Sequence, residues 1–140
     1  NFIEKLPENM PSPKNMKSLG KKMILLVDDE VTVLKLLEFI LKKDYELVIH
    51  NNGLEAISWM DEGHMPDIII SDLEMPYVNG LDFVRSLKTS GYYRDIPIIL
   101  LSAAYSLEDL AEKLPYNFNL LMQKPFNPNK LKESIQNLLN

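Results

Sequence analysis

The sequence predicts an α/β protein: a parallel sheet of five strands with helices on both faces. Two observations predict it. Short, nearly continuous apolar runs recur along the chain, as strands buried on both faces require. Between them, apolar residues recur at spacings of three and four, which marks helices with one buried stripe. Short buried strands joined by helical crossovers run parallel, and right-handed crossovers must pass over a sheet face, so the three-layer arrangement follows.

In chain order, the first run is Met23-Ile24-Leu25-Leu26-Val27, and Val33, Leu37, Ile40 and Leu41 then form a helical stripe. Tyr45-Glu46-Leu47-Val48-Ile49 is more polar and suits an edge strand. Ala56, Ile57 and Met60 mark the second helix, Ile68-Ile69-Ile70 the third strand, and Leu81, Val84 and Leu87 the third helix. The run from Ile96 through Pro97 to Leu101 is the fourth strand, followed by a fourth helical stripe of Leu107, Leu110, Ala111 and Leu114. Leu120-Leu121-Met122 is the fifth strand. The last helix carries Leu131, Ile135, Leu138 and Leu139, with Asn127 as its N-cap and Pro128 at the first helical position. Residues 1–20 contain Pro7, Pro11 and Pro13 and show neither periodicity, so they read as a poorly ordered leader or linker. Residues 21–140 are expected to form one folded domain.

A length of 140 residues suits one core, and 46% hydrophobic with 25% charged residues is the balance of a globular chain. With 15 basic against 20 acidic residues, the net charge of -5 opposes broad contact with nucleic acid or an anionic membrane. The absence of cysteine excludes disulfides, thiolate nucleophiles and cysteine metal clusters, and suits a reducing cytoplasm. No apolar run approaches the roughly 18 residues of a membrane span. No export signal is recognisable, and a cytoplasmic location is expected.

In an open parallel sheet, ligands bind outside the carboxyl ends of the strands, where the strand order reverses. Asp28 and Asp29 follow the first run, Asp72 follows the third after Ser71, Ser102 follows the fourth, and Lys124 lies just beyond the fifth. Three carboxylates gathered there repel by roughly 4 kcal/mol per pair at ~4 Å and an effective dielectric near ~20, so the arrangement calls for a cation. An all-oxygen set suits Mg²⁺, whereas zinc would favour Cys or His. Lys124 adds a positive charge and Ser102 a hydroxyl donor, and together with the metal they suit a phosphoryl group.

Each residue taken singly has an ordinary reading. Asp28 suits a cap for the first helix, Asp72 a loop, Ser102 a strand end and Lys124 a solvated surface. His50 and His64 read as surface or turn residues, and Trp59 as core packing. Only the joint placement of the five points to chemistry.

From about Lys22 to Asn140 the chain resembles the receiver domain of two-component response regulators. The resemblance is carried by Leu26-Val27-Asp28-Asp29-Glu30, by Ser71-Asp72-Leu73-Glu74-Met75-Pro76 leading to Asn79-Gly80, by Leu101-Ser102-Ala103, and by Lys124-Pro125-Phe126. Asp28, Asp72, Ser102 and Lys124 follow one another at separations of 44, 30 and 22 residues. The implied fold is a flavodoxin-like, doubly wound sandwich with strand order 2-1-3-4-5.

The resemblance also implies roles. Asp72 would attack the phosphorus of a partner's phosphohistidine to give an aspartyl phosphate. Asp29, Asp72 and the backbone carbonyl of Glu74 would contact Mg²⁺ directly, and Asp28 would act through water. Lys124 would pair with the phosphoryl oxygens, aimed by a cis bond before Pro125, and Ser102 would hydrogen-bond the added group. Gly80 and Pro125 would be structural. The aromatic switch residue usual three positions before the lysine is replaced by Leu121, for which Tyr105, Tyr116 or Phe118 are candidate substitutes. The Gly-Ala pair common before the last strand is missing from Leu114-Pro115-Tyr116-Asn117-Phe118-Asn119, so an atypical fourth helix and loop are expected.

The partner implied is a sensor histidine kinase or a histidine phosphotransfer protein, with dimerisation through the fourth and fifth helices as a further option. No direct nucleic-acid or membrane contact is expected. The chain would be an acceptor rather than an enzyme, self-dephosphorylation aside. It reads as either a stand-alone receiver or one belonging to a longer protein. Two rivals stand beside this reading. A metal-dependent phosphohydrolase usually opens on Asp-x-Asp, which Asp72-Leu73-Glu74 only imitates, and would need a cap over its substrate. An interaction module that is never phosphorylated has usually lost an acid or the lysine, and this chain keeps them. A dinucleotide fold is disfavoured because acids follow the first strand where phosphate cradles need glycines, and the chain has only 5 Gly.

Overall fold

The computed structural model describes residues 20–75, 80–103, 108, 112 and 119–140. Its elements are β1 (Lys22–Val27), α1 (Val31–Leu41), β2 (Tyr45–His50), α2 (Gly53–Asp61), β3 (Ile68–Asp72), α3 (Gly80–Lys88), β4 (Ile98–Ser102), β5 (Leu120–Gln123) and α4 (Pro128–Leu139). All five strands are parallel, in the order β2-β1-β3-β4-β5. The fold therefore agrees with the sequence reading, including β2 at an edge. Residues 1–19 of the proposed leader, the helical stripe Leu107-Leu110-Ala111-Leu114, and Pro76, Asn79, Tyr105, Tyr116 and Phe118 lie outside the described residues. Within that fourth helical stretch, Glu108 and Glu112 are described, and both are helical and exposed.

Strand alternation builds two cores from one sheet. Leu25, Val27, Ile69, Ile98 and Leu100 point to one face and meet Ala56 and Met60 of α2 with Phe83, Val84 and Leu87 of α3. Ile24, Leu26, Ile68, Ile70, Ile99 and Leu101 point to the other and meet Leu34, Leu37 and Leu41 of α1 with Leu131 and Ile135 of α4. Nearly every residue of the three inner strands is thus buried, which is why their sequences read as unbroken apolar runs.

Side chains fix the register at the strand entrances. Met23 N donates to Asp67 Oδ2 at 2.7 Å while Asp67 N donates to Met23 O. Asn119 does the same for β4, its Oδ1 accepting from Ile98 N at 2.8 Å and its N donating to Ile98 O. Asn127 caps α4 as expected, its side chain accepting from Asn129 N at 2.9 Å and Lys130 N at 3.1 Å. Asp28 does not cap α1. The N-cap is Glu30, without a side-chain cap bond, and Asp28 instead accepts from Glu30 N at 2.9 Å.

The histidines depart from the sequence reading. His64 is only 7% exposed and its ring lies parallel to Trp59 at 4.6 Å. His50 is half-buried and meets Trp59 at a tilt, with ring centroids 5.9 Å apart. Trp59 draws both imidazoles inward because a half-buried indole offers a flat apolar face to rings that end a strand and a turn. Burial lowers the His50 pKa, an effect only partly offset by Glu55.

Candidate functional site

The strand order reverses between β1 and β3, so their carboxyl ends lie side by side at the open edge of the sheet. Val27 pairs with Ser71, which brings the following residue, Asp28, beside Asp72. Asp72 is the last residue of β3 and pairs with Leu101, and Ser102 ends β4. Lys124 leaves β5 with its backbone N donating to Ser102 O at 2.8 Å. Four strand ends therefore deliver the predicted residues to one rim, and the sheet's register, not chance, places them there.

The centre of the cluster is a cation held among acids. Lys124 Nζ lies 3.0 Å from Asp28 Oδ2, 3.2 Å from Asp72 Oδ1 and 3.2 Å from Glu30 Oε1. Asp28, Asp72 and Ser102 are buried, while Asp29, Glu30 and Glu74 are exposed. The Lys124–Pro125 bond is cis. Around Asp72 the chain closes tightly: Glu74 N donates to Asp72 Oδ1 at 3.4 Å, and Ser71 Oγ to Asp72 O at 3.0 Å.

Electrostatics follow from this crowding. Burial, then the charge on Asp28, raises the Asp72 pKa to about 7 against the pull of Lys124. Burial also raises Asp28, opposed by the Glu30 backbone bond and by Lys124. For Lys124 burial acts downward, but contact with Asp28 and Asp72 outweighs it and holds the ammonium well above the usual lysine range. The lysine is thus a fixed charge, and the buried acids remain short of compensation.

A family model for the response regulator receiver domain matches residues 24–136. The chain belongs to that family. Among its relatives, the probable transcriptional regulator ycf29 of Pyropia yezoensis is 32% identical over 121 residues, 86% of this chain and 54% of that protein. The chain spans about half the length of several curated relatives it matches. Chemotaxis protein CheY1 of Helicobacter pylori is 30% identical over 118 residues, covering 83% of this chain and 95% of that one. Among solved structures, the receiver domain of sensor histidine kinase PA1611 from Pseudomonas aeruginosa aligns with TM-score 0.77 and 26% identity, over 86% of this chain and 98% of that one. That structure holds a magnesium ion coordinated in its active site cleft.

In this receiver domain Asp28, Asp29, Glu30 and Asp72 each offer a carboxylate oxygen, all within 4.8 Å of one another. The donors are all oxygen, and two of the acids are exposed and two buried. These features fit a hard divalent cation that keeps part of its water. Two contacts escaped the sequence reading. Glu30 reaches Lys124, and its position two residues beyond Asp28 was the available signal. The Glu74 side chain accepts from Ser102 Oγ at 2.6 Å, which no spacing rule marks. Leu121 is half-buried against the α2 and α3 core, so this position packs a side chain without a polar handle.

Proposed function

We propose that this receiver domain, residues 21–140, takes a phosphoryl group onto Asp72 from a phosphohistidine of a sensor histidine kinase or histidine phosphotransfer protein, and signals by changing conformation. The observation that carries the proposal is Lys124 Nζ within 3.2 Å of Asp72 Oδ1, inside a cluster of acids suited to a divalent cation. A carboxylate beside a fixed cation and a cation site is arranged for phosphoryl transfer, which asks for positioning and charge neutralisation more than for covalent chemistry.

An Asp72 oxygen forms the new bond to phosphorus as the bond from phosphorus to the donor imidazole nitrogen breaks. The electron pair stays on that nitrogen. Lys124 pairs with the phosphoryl oxygens, and Ser102 donates its hydroxyl proton to one of them. Asp29, Asp72 and the Glu74 carbonyl would hold Mg²⁺ directly, and Asp28 would hold it through water. When bound, Mg²⁺ neutralises charge on the carboxylate and on the group being transferred. In a cytoplasmic setting, hydrolysis of the acyl phosphate returns Asp72 to its starting state.

Purified protein incubated with acetyl phosphate and Mg²⁺ should gain about 80 daltons, the mass of one phosphoryl group. The gain should vanish with a chelator and in Asp72→Ala. If wild type gains no mass and also binds no beryllofluoride, the acceptor reading fails and an unphosphorylated interaction module takes its place.

A further inference from the structure

Ser102 ends β4 at 0% exposure, and its hydroxyl has one proton to give. That proton goes to Glu74 Oε1 over 2.6 Å, within the short range of charge-assisted bonds. The contact joins the segment after β3 to the end of β4, and so ties the strand end that carries Asp72 to its neighbour. Glu74 is exposed, so its side chain can leave into water without opening the core. Its backbone N meanwhile stays on Asp72 Oδ1.

A phosphoryl group on Asp72 would bring nearly two negative charges and three acceptor oxygens. Ser102 cannot donate one proton to both that group and Glu74, and the Glu74 carboxylate would face an anion across the same hydroxyl. From this geometry we infer that the Glu74 side chain is a latch: it holds Ser102 in the unphosphorylated arrangement and is expelled when Asp72 carries its anion. Glu74 is thus a positioning residue that sets how hard the switch is to throw. The inference rests on Asp72 being the acceptor. It concerns the Glu74 carboxylate and is separate from any role of the Glu74 carbonyl.

The test is a calorimetric titration of the full chain with beryllofluoride, a phosphoryl mimic, at saturating Mg²⁺. Glu74→Ala should bind about tenfold more tightly than wild type, since a hydrogen bond to a charged group no longer has to be broken. Glu74→Gln, which keeps an acceptor but not the charge, should fall between. In a Ser102→Ala background the same Glu74→Ala change should shift affinity by less than about threefold, because only repulsion between charges remains. Equal or weaker binding by Glu74→Ala overturns the latch, as does the same shift in both backgrounds. Absence of binding in wild type and every variant overturns the acceptor reading and the latch with it.

Discussion

Asp72→Asn should make the metal-free protein more stable, and by more at high pH than at low. The ordinary carboxyl pKa of 3.8 is raised to about 7 at Asp72. Between those values the folded protein keeps a proton that the unfolded chain has lost, so stability is full at low pH and falls as pH rises through the window. At ~1.4 kcal/mol per unit the full cost of ionising Asp72 is roughly 4 kcal/mol. The rim is open to water, which screens part of it, so about 2 kcal/mol is the expected difference between pH 5 and pH 8. Asn cannot ionise and removes that share of the slope. Urea unfolding in the presence of a chelator, followed through the single tryptophan, Trp59, measures both proteins. An advantage of Asp72→Asn that does not grow between pH 5 and pH 8 would refute the claim that buried acids crowd this rim.

Other consequences follow from the same geometry. Mg²⁺ binding at Asp72, as proposed, would displace its proton, so the affinity should be about tenfold weaker at pH 6 than at pH 8, and a flat calorimetric profile would contradict this. Lys124→Met removes the cation shared by Asp28, Glu30 and Asp72. It should destabilise the metal-free protein by about 2 kcal/mol at pH 8 and by less at pH 5, where Asp72 takes up a proton, and urea unfolding that shows a pH-independent loss would count against it. Asn127→Ala removes the cap of α4, whose bonds run to Asn129 N and Lys130 N and not to the acid cluster. It should cost about 1 kcal/mol, or ~4 °C in a thermal melt, with Mg²⁺ affinity unchanged.

The central strands were legible because β1, β3 and β4 are buried on both faces, and only apolar residues meet that condition. The rim was legible for a related reason: a polar residue directly after such a run must emerge at the carboxyl end of the sheet. Asp28, Asp72, Ser102 and Lys124 all sit there. What sequence could not supply was the direction of individual side chains. Asp28 is well placed by composition to cap α1, yet it turns back to Lys124, because the half-buried ammonium attracts it more strongly than an open helix end. Glu74 is an exposed residue between the buried Leu73 and Met75, with no periodic signal, and no spacing rule aims its side chain at Ser102. His64 follows a glycine turn and looks solvated in sequence, but a neighbouring indole gives it a surface to stack on.

The most direct test is to identify the modified residue. After incubation with acetyl phosphate and Mg²⁺, borohydride reduces an aspartyl phosphate to an alcohol, and peptide sequencing reads its position. The account requires homoserine at position 72 and at no other acid of the cluster. Labelling at Asp28, Asp29 or Glu30 instead would contradict it, because those carboxylates are assigned to the cation and to Lys124.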